Sequence, residues 1–323
     1  RCRGQKRPAG AGGEPMNQQI AASAPSGRAG LAYRKIRDRV VEAALLLAAL
    51  VAVFTTLAIV FVLVVESLPF FEHVPLVDFL TDTMWTPLFA EARYGILPLV
   101  AGTLVTTLVA LAVAIPAGTI IAIYLSEFAP FRLREAIKPA LELLGAVPTV
   151  VYGYFALLVV TPFLQTLIPG LPGFNMLSAG LVIGIMIIPY VASVSEDAMR
   201  AVPNYMREGS YAMGATRFQT ATRVVVPGAL SGIAAAYILG ISRAVGETMV
   251  VAVAAGLQPN LTWNPTESAA TITAFIVQVS LGDLPHESIG YQSIFAAGLV
   301  LMIMTLVFNI AGFTLTRRFR EAY

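Results

Sequence analysis

The thirty residues MRAVPNYMREGSYAMGATRFQTATRVVVPG, Met199 to Gly228, form the longest polar interruption in the second half of a strongly apolar chain. Polar side chains between two apolar runs belong outside a lipid core, where water can solvate them. Gly214 has no Cβ, so the chain can stop a helix and reverse there. Pro203 and Pro227 bracket the stretch, and proline favours helix boundaries. Two short helical pieces are expected between them, roughly Asn204–Met213 and Ala215–Val224. Such a helix pair on the membrane face, with small residues on one side, suits a groove in a soluble partner. The same pattern also suits an ordinary amphipathic interfacial loop.

The chain on either side decides the class. Of 323 residues, 57% are hydrophobic and 12% charged, against about 25% charged in a soluble domain. Six apolar segments, each close to or above the length that spans a bilayer as helix, fall near Val41–Val65, Ile96–Leu125, Ile137–Leu167, Leu177–Val194, Ala229–Leu257 and Ile294–Leu315. Backbone groups in lipid must be bonded within the segment, so the expectation is an all-α polytopic membrane protein with six transmembrane helices. The ten-residue alternation of a membrane barrel is absent. Cys2 is the only cysteine, which excludes an internal disulfide framework.

Arginine and lysine orient the bundle. Arg28, Arg34, Lys35, Arg37 and Arg39 precede the first segment. Arg132, Arg134 and Lys138 lie between the second and third. Arg200, Arg207, Arg217 and Arg223 lie between the fourth and fifth, and Arg317, Arg318 and Arg320 follow the sixth. The alternate loops carry only Arg93. Both termini and the Met199–Gly228 loop are therefore expected in the cytoplasm. Residues 1–39 read as a disordered basic tail, rich in Gly, Ala and Pro, ahead of a six-helix transmembrane domain over 40–323. Met16 is a candidate start. The first apolar run is too long for a secretory signal and lacks a small-residue cleavage site.

The outer loops, Glu66–Gly95 and Gln258–Ser293, are longer than plain connectors. They carry Glu66, Glu72, Asp78, Asp82, Trp85 and Glu91, and Trp263, Glu267, Asp283, His286 and Glu287. They suit either docking of an extracytoplasmic partner or simple solvated loops with interfacial aromatics. Pro98, Pro116, Pro148, Gly153 and Pro189 interrupt the spans. Gly180 with Gly184, and Gly228 with Gly232, are spaced for close helix packing.

A second constellation, Ile241-Ser242-Arg243-Ala244-Val245-Gly246-Glu247-Thr248, lies well inside the fifth apolar segment. On a continuous helix Arg243 and Glu247 share one face and can pair. A charge at that depth costs several kcal/mol, so such residues face the bundle interior or an aqueous path. They read either as a structural ion pair or as part of a permeation route. A guanidinium suits an oxyanion such as phosphate. Glu142, near the inner end of the third segment, is a weaker third candidate, better read as a membrane-edge carboxylate.

The loop also resembles a known pattern, the EAA loop of ABC importer permeases. In that family the order is Glu-Ala-Ala, then a glycine, then Ile and Leu-Pro at fixed spacing. Here Glu208, Gly214 and Pro227 match, Val224 and Val226 stand for the two aliphatics, and Gly209 and Ser210 replace the alanines. More specifically, the chain resembles the PstC-type permease of the high-affinity phosphate ABC importer. The matching stretches are GILPLVAGTLVTTLVALAVAIPAG (Gly95–Gly118), IAIYLSEFAP ending at Pro130, LELLGAVPTVVYGYF (Leu141–Phe155), ASVSEDAMRAVP (Ala192–Pro203) and GISRAVGETM (Gly240–Met249), within 95–256. The resemblance implies the type I ABC importer permease architecture in a bacterial inner membrane. It implies a heterodimer with a sister permease, two copies of a cytoplasmic ATP-binding subunit, an extracytoplasmic phosphate-binding protein, and inorganic phosphate as substrate. It further implies that the ATPase docks on the loop of Glu208, Gly214 and Pro227, and that Arg243 and Glu247 matter for transport.

The chain has no GxxxxGK[ST] motif, so ATP and Mg are expected on the partner ATPase rather than here. Without HExxH or GxSxG, and with His73 and His286 in outer loops, it reads as a transport subunit and not an enzyme. No nucleic-acid partner and no metal are expected. The rival readings are a permease for sulfate or molybdate, and a stand-alone secondary transporter, which would be expected to show internal repeats.

Overall fold

The computed structural model describes residues 28–318 except 88, 90, 284, 286 and 287. The stretch 1–27 of the expected tail, His286, Glu287 and Arg320 lie outside the described residues. The described residues are helical, apart from loops and one isolated antiparallel bridge between Trp85 and Tyr94. Five helices are long and apolar enough to cross a bilayer, and six if a pair bent by 72° counts as one span.

The first helix, α1, runs Arg28–His73, so residues 28–39 are helical rather than part of a disordered tail. Arg, Lys, Glu and Ala are strong helix formers, which lets the basic flank continue the apolar run. By its contacts the chain divides at Phe61–Val62 into two units. In the first unit no side chain from Arg34 to Phe61 is buried. An apolar helix with that exposure is in its proper solvent only in lipid or against another membrane helix.

The second unit begins with the end of α1 and continues through the other elements. These are α2 (Leu76–Thr81), α3 (Leu97–Phe128), α4 (Phe131–Ala146), α5 (Thr149–Leu167) and α6 (Met176–Ala201). They continue with α7 (Asn204–Ala212), α8 (Arg217–Gly228), α9 (Leu230–Val245), α10 (Met249–Ala254), α11 (Ile272–Gln278) and α12 (Ile289–Arg318).

Two expected spans are corrected. The third was expected as Ile137–Leu167, but the helix breaks at Val147–Pro148, with Val147 extended at φ −64°, ψ 131°. A residue before proline is driven out of the helical region, and Pro148 has no N–H to continue the ladder. What precedes it, α4, buries no side chain and is a separate amphipathic helix. The fifth was expected as Ala229–Leu257 but breaks after Val245. Gly246 disfavours helix there, and the Glu247 carboxylate accepts from Val250 N at 3.4 Å in place of a backbone carbonyl.

α3 and α6 pack closest because glycine lines their seam. A Cβ on Gly184 would lie 2.7 Å from the Ala110 carbonyl oxygen, and one on Gly180 2.7 Å from Val109 Cβ. Small residues thus let two backbones approach where lipid gives no hydrophobic drive to associate. α9 lies across both, through Gly240 against Ile187 and Val191, and through a Tyr237–Thr119 hydroxyl hydrogen bond of 2.7 Å.

The first outer loop is a folded cap rather than a solvated connector. Phe70, Phe79, Trp85, Tyr94 and Phe275 meet edge to face, with Trp85–Phe275 centroids 4.9 Å apart. Gly95 N donates to Met84 O and Thr86 N to Arg93 O, which closes the loop. Trp85 is 1% exposed.

Candidate coupling surface and permeation site

The polar stretch forms the expected helical hairpin. α6 ends at Ala201, Val202 and Pro203 are extended, and α7 starts at Asn204. Gly214 follows α7 with φ +82°, a left-handed conformation that suits glycine. The next helix is held by a capping box: Gln219 N donates to Thr216 Oγ1, and Thr216 N to Gln219 Oε1. A hydroxyl hydrogen bond of 2.9 Å between Ser210 and Thr220 closes α7 onto α8. A bend of 72° at Ala229 then turns the chain into α9.

Glu208, Gly209, Gly214 and Pro227 are all exposed on this hairpin. Around them Tyr205, Met213 and Phe218 are also exposed, Met213 at 89%. Phe218 adds one wall to a cleft of about 370 Å³ with Ile120, Ile123, Tyr124 and Phe128. The exposed face of the hairpin thus carries apolar side chains, a small-residue patch, the Glu208 carboxylate and the exposed Arg217 and Arg223.

Gly214 separates two explanations of its own role. Nothing lies within 4 Å of a Cβ built there, so space is not the constraint; backbone conformation is. A non-glycine residue in the left-handed region costs about 1–2 kcal/mol, and asparagine tolerates it best. Gly214→Val is therefore expected to distort the turn and lower the unfolding temperature of the purified protein, while Gly214→Asn keeps most of it. Equal unfolding temperatures for wild type and Gly214→Val would mean that the left-handed turn is not required.

Sequence reasoning missed the residue beside Glu208. Arg207 points inward, with its side chain 14% exposed. Its Nη2 donates to Glu127 Oε1 at 3.0 Å and to Met199 O at 2.8 Å, and its Nη1 donates to Val202 O at 2.6 Å. A second missed cluster joins α4 to α6. Glu196 is 1% exposed and lies 2.9 Å from Lys138 Nζ, with Arg134 and Arg200 each at 3.8 Å; Lys138 also reaches Asp197 at 2.7 Å. The signal was in the sequence, since SVSEDAMRAVP ends an apolar span with three charges.

Within the bundle the expected Arg243–Glu247 pair does not form. The helix breaks at Gly246, so the four-residue spacing no longer places the two on one face. Arg243 instead lays its guanidinium over the Tyr190 ring of α6, 4.2 Å from the centroid, and its buried Nε has no hydrogen-bond partner. Glu247 is 8% exposed in the break, where its carbonyl accepts from Thr273 Oγ1 at 2.8 Å. Arg243 lies roughly 20 Å along α9 from its cytoplasmic start at the helical rise of 1.5 Å per residue. Glu142 is exposed on α4, outside the spans.

A bundle of five to six membrane-spanning helices with a helical hairpin leading into the bent span has the architecture of a type I ABC importer permease. The chain belongs to the family of binding-protein-dependent transport system inner membrane components, whose profile matches residues 114–321, and within it to the PstC-type permeases.

Among its relatives, the phosphate transport system permease protein PstC of Mesorhizobium japonicum is 34% identical over 263 residues, 74% of this chain and 78% of that one. PstC 1 of Mycobacterium tuberculosis is 35% identical over 251 residues, 70% of this chain and 73% of that one. The protein named "Probable ABC transporter permease protein YqgH" of Bacillus subtilis is 33% identical over 90% of this chain and 94% of its own length. Among solved structures, a bacterial ABC transporter involved in the import of alginate matches with TM-score 0.62 at 16% identity, over 90% of this chain and 99% of that one. That likeness concerns the fold alone.

Proposed function

We propose that this chain is the membrane permease subunit through which an ATP-driven complex imports inorganic phosphate. The observation that carries the substrate is Arg243. A permanently charged guanidinium inside a span, with no carboxylate on it and one buried N–H unspent, is poised for an oxyanion. Tyr190 holds the group by its ring face, which leaves the N–H edges for a ligand. Glu247, in the break that follows, would act as a second point on the route: near neutral pH phosphate still carries a proton that it can donate to a carboxylate, whereas sulfate has none. The relatives named as phosphate permeases support the same substrate.

In this reading the partners are a sister permease to complete the pathway, two ATP-binding subunits holding ATP and Mg, and an extracytoplasmic phosphate-binding protein. Glu208, Gly214 and Pro227 form the surface that meets the ATP-binding subunit. Delivery by a binding protein also answers the acidic outer loops, which oppose capture of a free anion. Membership of a binding-protein-dependent family argues against a stand-alone secondary transporter.

The test is ATP hydrolysis by the reconstituted complex with binding protein and phosphate, sulfate or molybdate. Stimulation by phosphate alone is expected. Stimulation by another oxyanion instead would keep the permease and remove the substrate.

A further inference from the structure

α7 leaves α6 over a very short link. Between it and α6 lie only Val202 and Pro203, both extended, with ψ 128° and 141°. Pro203 has no N–H to bond across that link. A short extended link by itself transmits a pull but not a rotation, so the coupling of α7 to α6 depends on what braces the joint.

Arg207 is that brace. It sits on the first turns of α7 and reaches back over the link to Met199 O, in the last turn of α6, and to Val202 O, in the link itself. Met199 O also accepts the Val202 N–H at 3.3 Å and belongs to the negative C-terminal end of the helix. The same guanidinium reaches across to Glu127, eighty positions earlier in sequence, in the π-helical turn Tyr124–Phe128 that ends α3. Glu127 is fixed in turn by Ser126 Oγ at 2.9 Å. Its side chain is 6% exposed, so the pair is little screened by salt. One planar, five-donor group thus joins the hairpin to the ends of the two most closely packed spans. Lysine, with a single ammonium centre, cannot span the same three segments.

What lies along α6 gives the joint its purpose. Tyr190, which carries Arg243, is on that helix, about 14 Å from Met199 at 1.5 Å per residue. α3 and α6 are locked by the glycine seam, so a push at their shared end moves them together.

We propose that Arg207 is the positioning residue that transmits movement of the coupling hairpin to α3 and α6, and through α6 to Tyr190 and Arg243. Glu127 is its anchor on α3. This rests on the reading of the hairpin as the ATPase contact given above.

The discriminating quantity is phosphate moved per ATP hydrolysed, which a purely structural role does not alter. The assembled complex in vesicles would be compared as wild type, Arg207→Gln, Arg207→Lys and Glu127→Gln, with Arg132→Gln, exposed at the start of α4, as a control. In Arg207→Gln that ratio is expected to fall about tenfold or more, the scale of one charge-assisted hydrogen bond. Arg207→Lys and Glu127→Gln should fall part of the way, and Arg132→Gln should stay at the wild-type ratio. An unchanged ratio in Arg207→Gln, whatever the yield of complex, would overturn the assignment. So would equal losses in Arg207→Gln and Arg132→Gln. Should Arg207→Gln fail to assemble, the milder Glu127→Gln decides by the same ratio. A wild-type complex driven by sulfate rather than phosphate would end the substrate reading, while the ratio measured with sulfate still tests Arg207.

Discussion

Replacing Arg243 by glutamine is expected to reduce phosphate transport by about ten- to a hundredfold while the complex still assembles, the range that follows from losing a hydrogen bond to a charged group, about 1.5–3 kcal/mol. The structure makes this result readable. Had Arg243 been paired with Glu247, its loss would have left a buried carboxylate uncompensated, and destabilisation would have been confounded with a missing phosphate contact. Instead its observed partner is the Tyr190 ring, and no carboxylate rests on it. A cation over an aromatic face contributes about 0.5–2 kcal/mol, and glutamine keeps part of the packing. Folding should therefore be nearly spared and transport not. The measurement is phosphate uptake per assembled complex, with recovery of the partner subunits as the assembly control. Uptake within about twofold of wild type, far below the loss of one charged contact, would place Arg243 off the route.

The contrast between Arg243 and Glu247 marks where sequence was sufficient and where it was not. The coupling hairpin was legible: two short helices, the reversal at Gly214 and the bracketing prolines all follow from local chemistry, and Gly214 has φ +82°. The spans were legible from apolar length, and the Gly180–Gly184 spacing correctly marked a close helix seam. Pairing across Gly246 was not, because the four-residue rule presumes a continuous helix, and a single glycine beside a capping carboxylate ended it. α4 was hidden for the opposite reason. Its apolar stripe runs into that of α5, and only Val147–Pro148 separates an interfacial helix from a span. Arg207 was counted as one more cytoplasmic positive charge. Its role depends on Glu127, and no local pattern links positions that far apart. Whether the first outer loop was a docking loop or a solvated one stayed open in the sequence, because the ring that completes its aromatic cluster, Phe275, lies in α11, far along the chain.

The second large effect is expected at Lys138, and its size comes from an asymmetry of burial. Glu196 is 1% exposed and Lys138 29%, while Arg134 and Arg200 stand 3.8 Å from the carboxylate, beyond hydrogen-bond reach. Removing Glu196 leaves cations that can turn to water. Removing Lys138 leaves a buried carboxylate without its close donor. Lys138→Met is therefore expected to cost about 3 kcal/mol, and Glu196→Gln less. The double variant should recover most of the Lys138→Met loss, because the carboxamide needs no counter-charge. Thermal unfolding of the purified complex measures all three. A Lys138→Met cost no greater than that of Glu196→Gln would mean that water reaches Glu196 and the cluster is only a surface network. Burial alone would lower the Lys138 pKa, but its hydrogen bonds to Asp197 and Glu196, with their charges, raise it above the ordinary value. A raised lysine pKa stabilises in full below the unfolded value of about 10.4 and is lost as pH climbs through the folded one. The deficit of Lys138→Met should thus stay constant through the neutral range and shrink only above about pH 10.5. Transport should fall with it, because α4 also positions the interior. Tyr190 donates to Gly145 O at 3.2 Å and Tyr152 to Leu144 O at 2.7 Å, so the end of α4 holds the ring on which Arg243 lies. An ion cluster at the cytoplasmic rim and an arginine in the broken span are in this way joined through a single tyrosine.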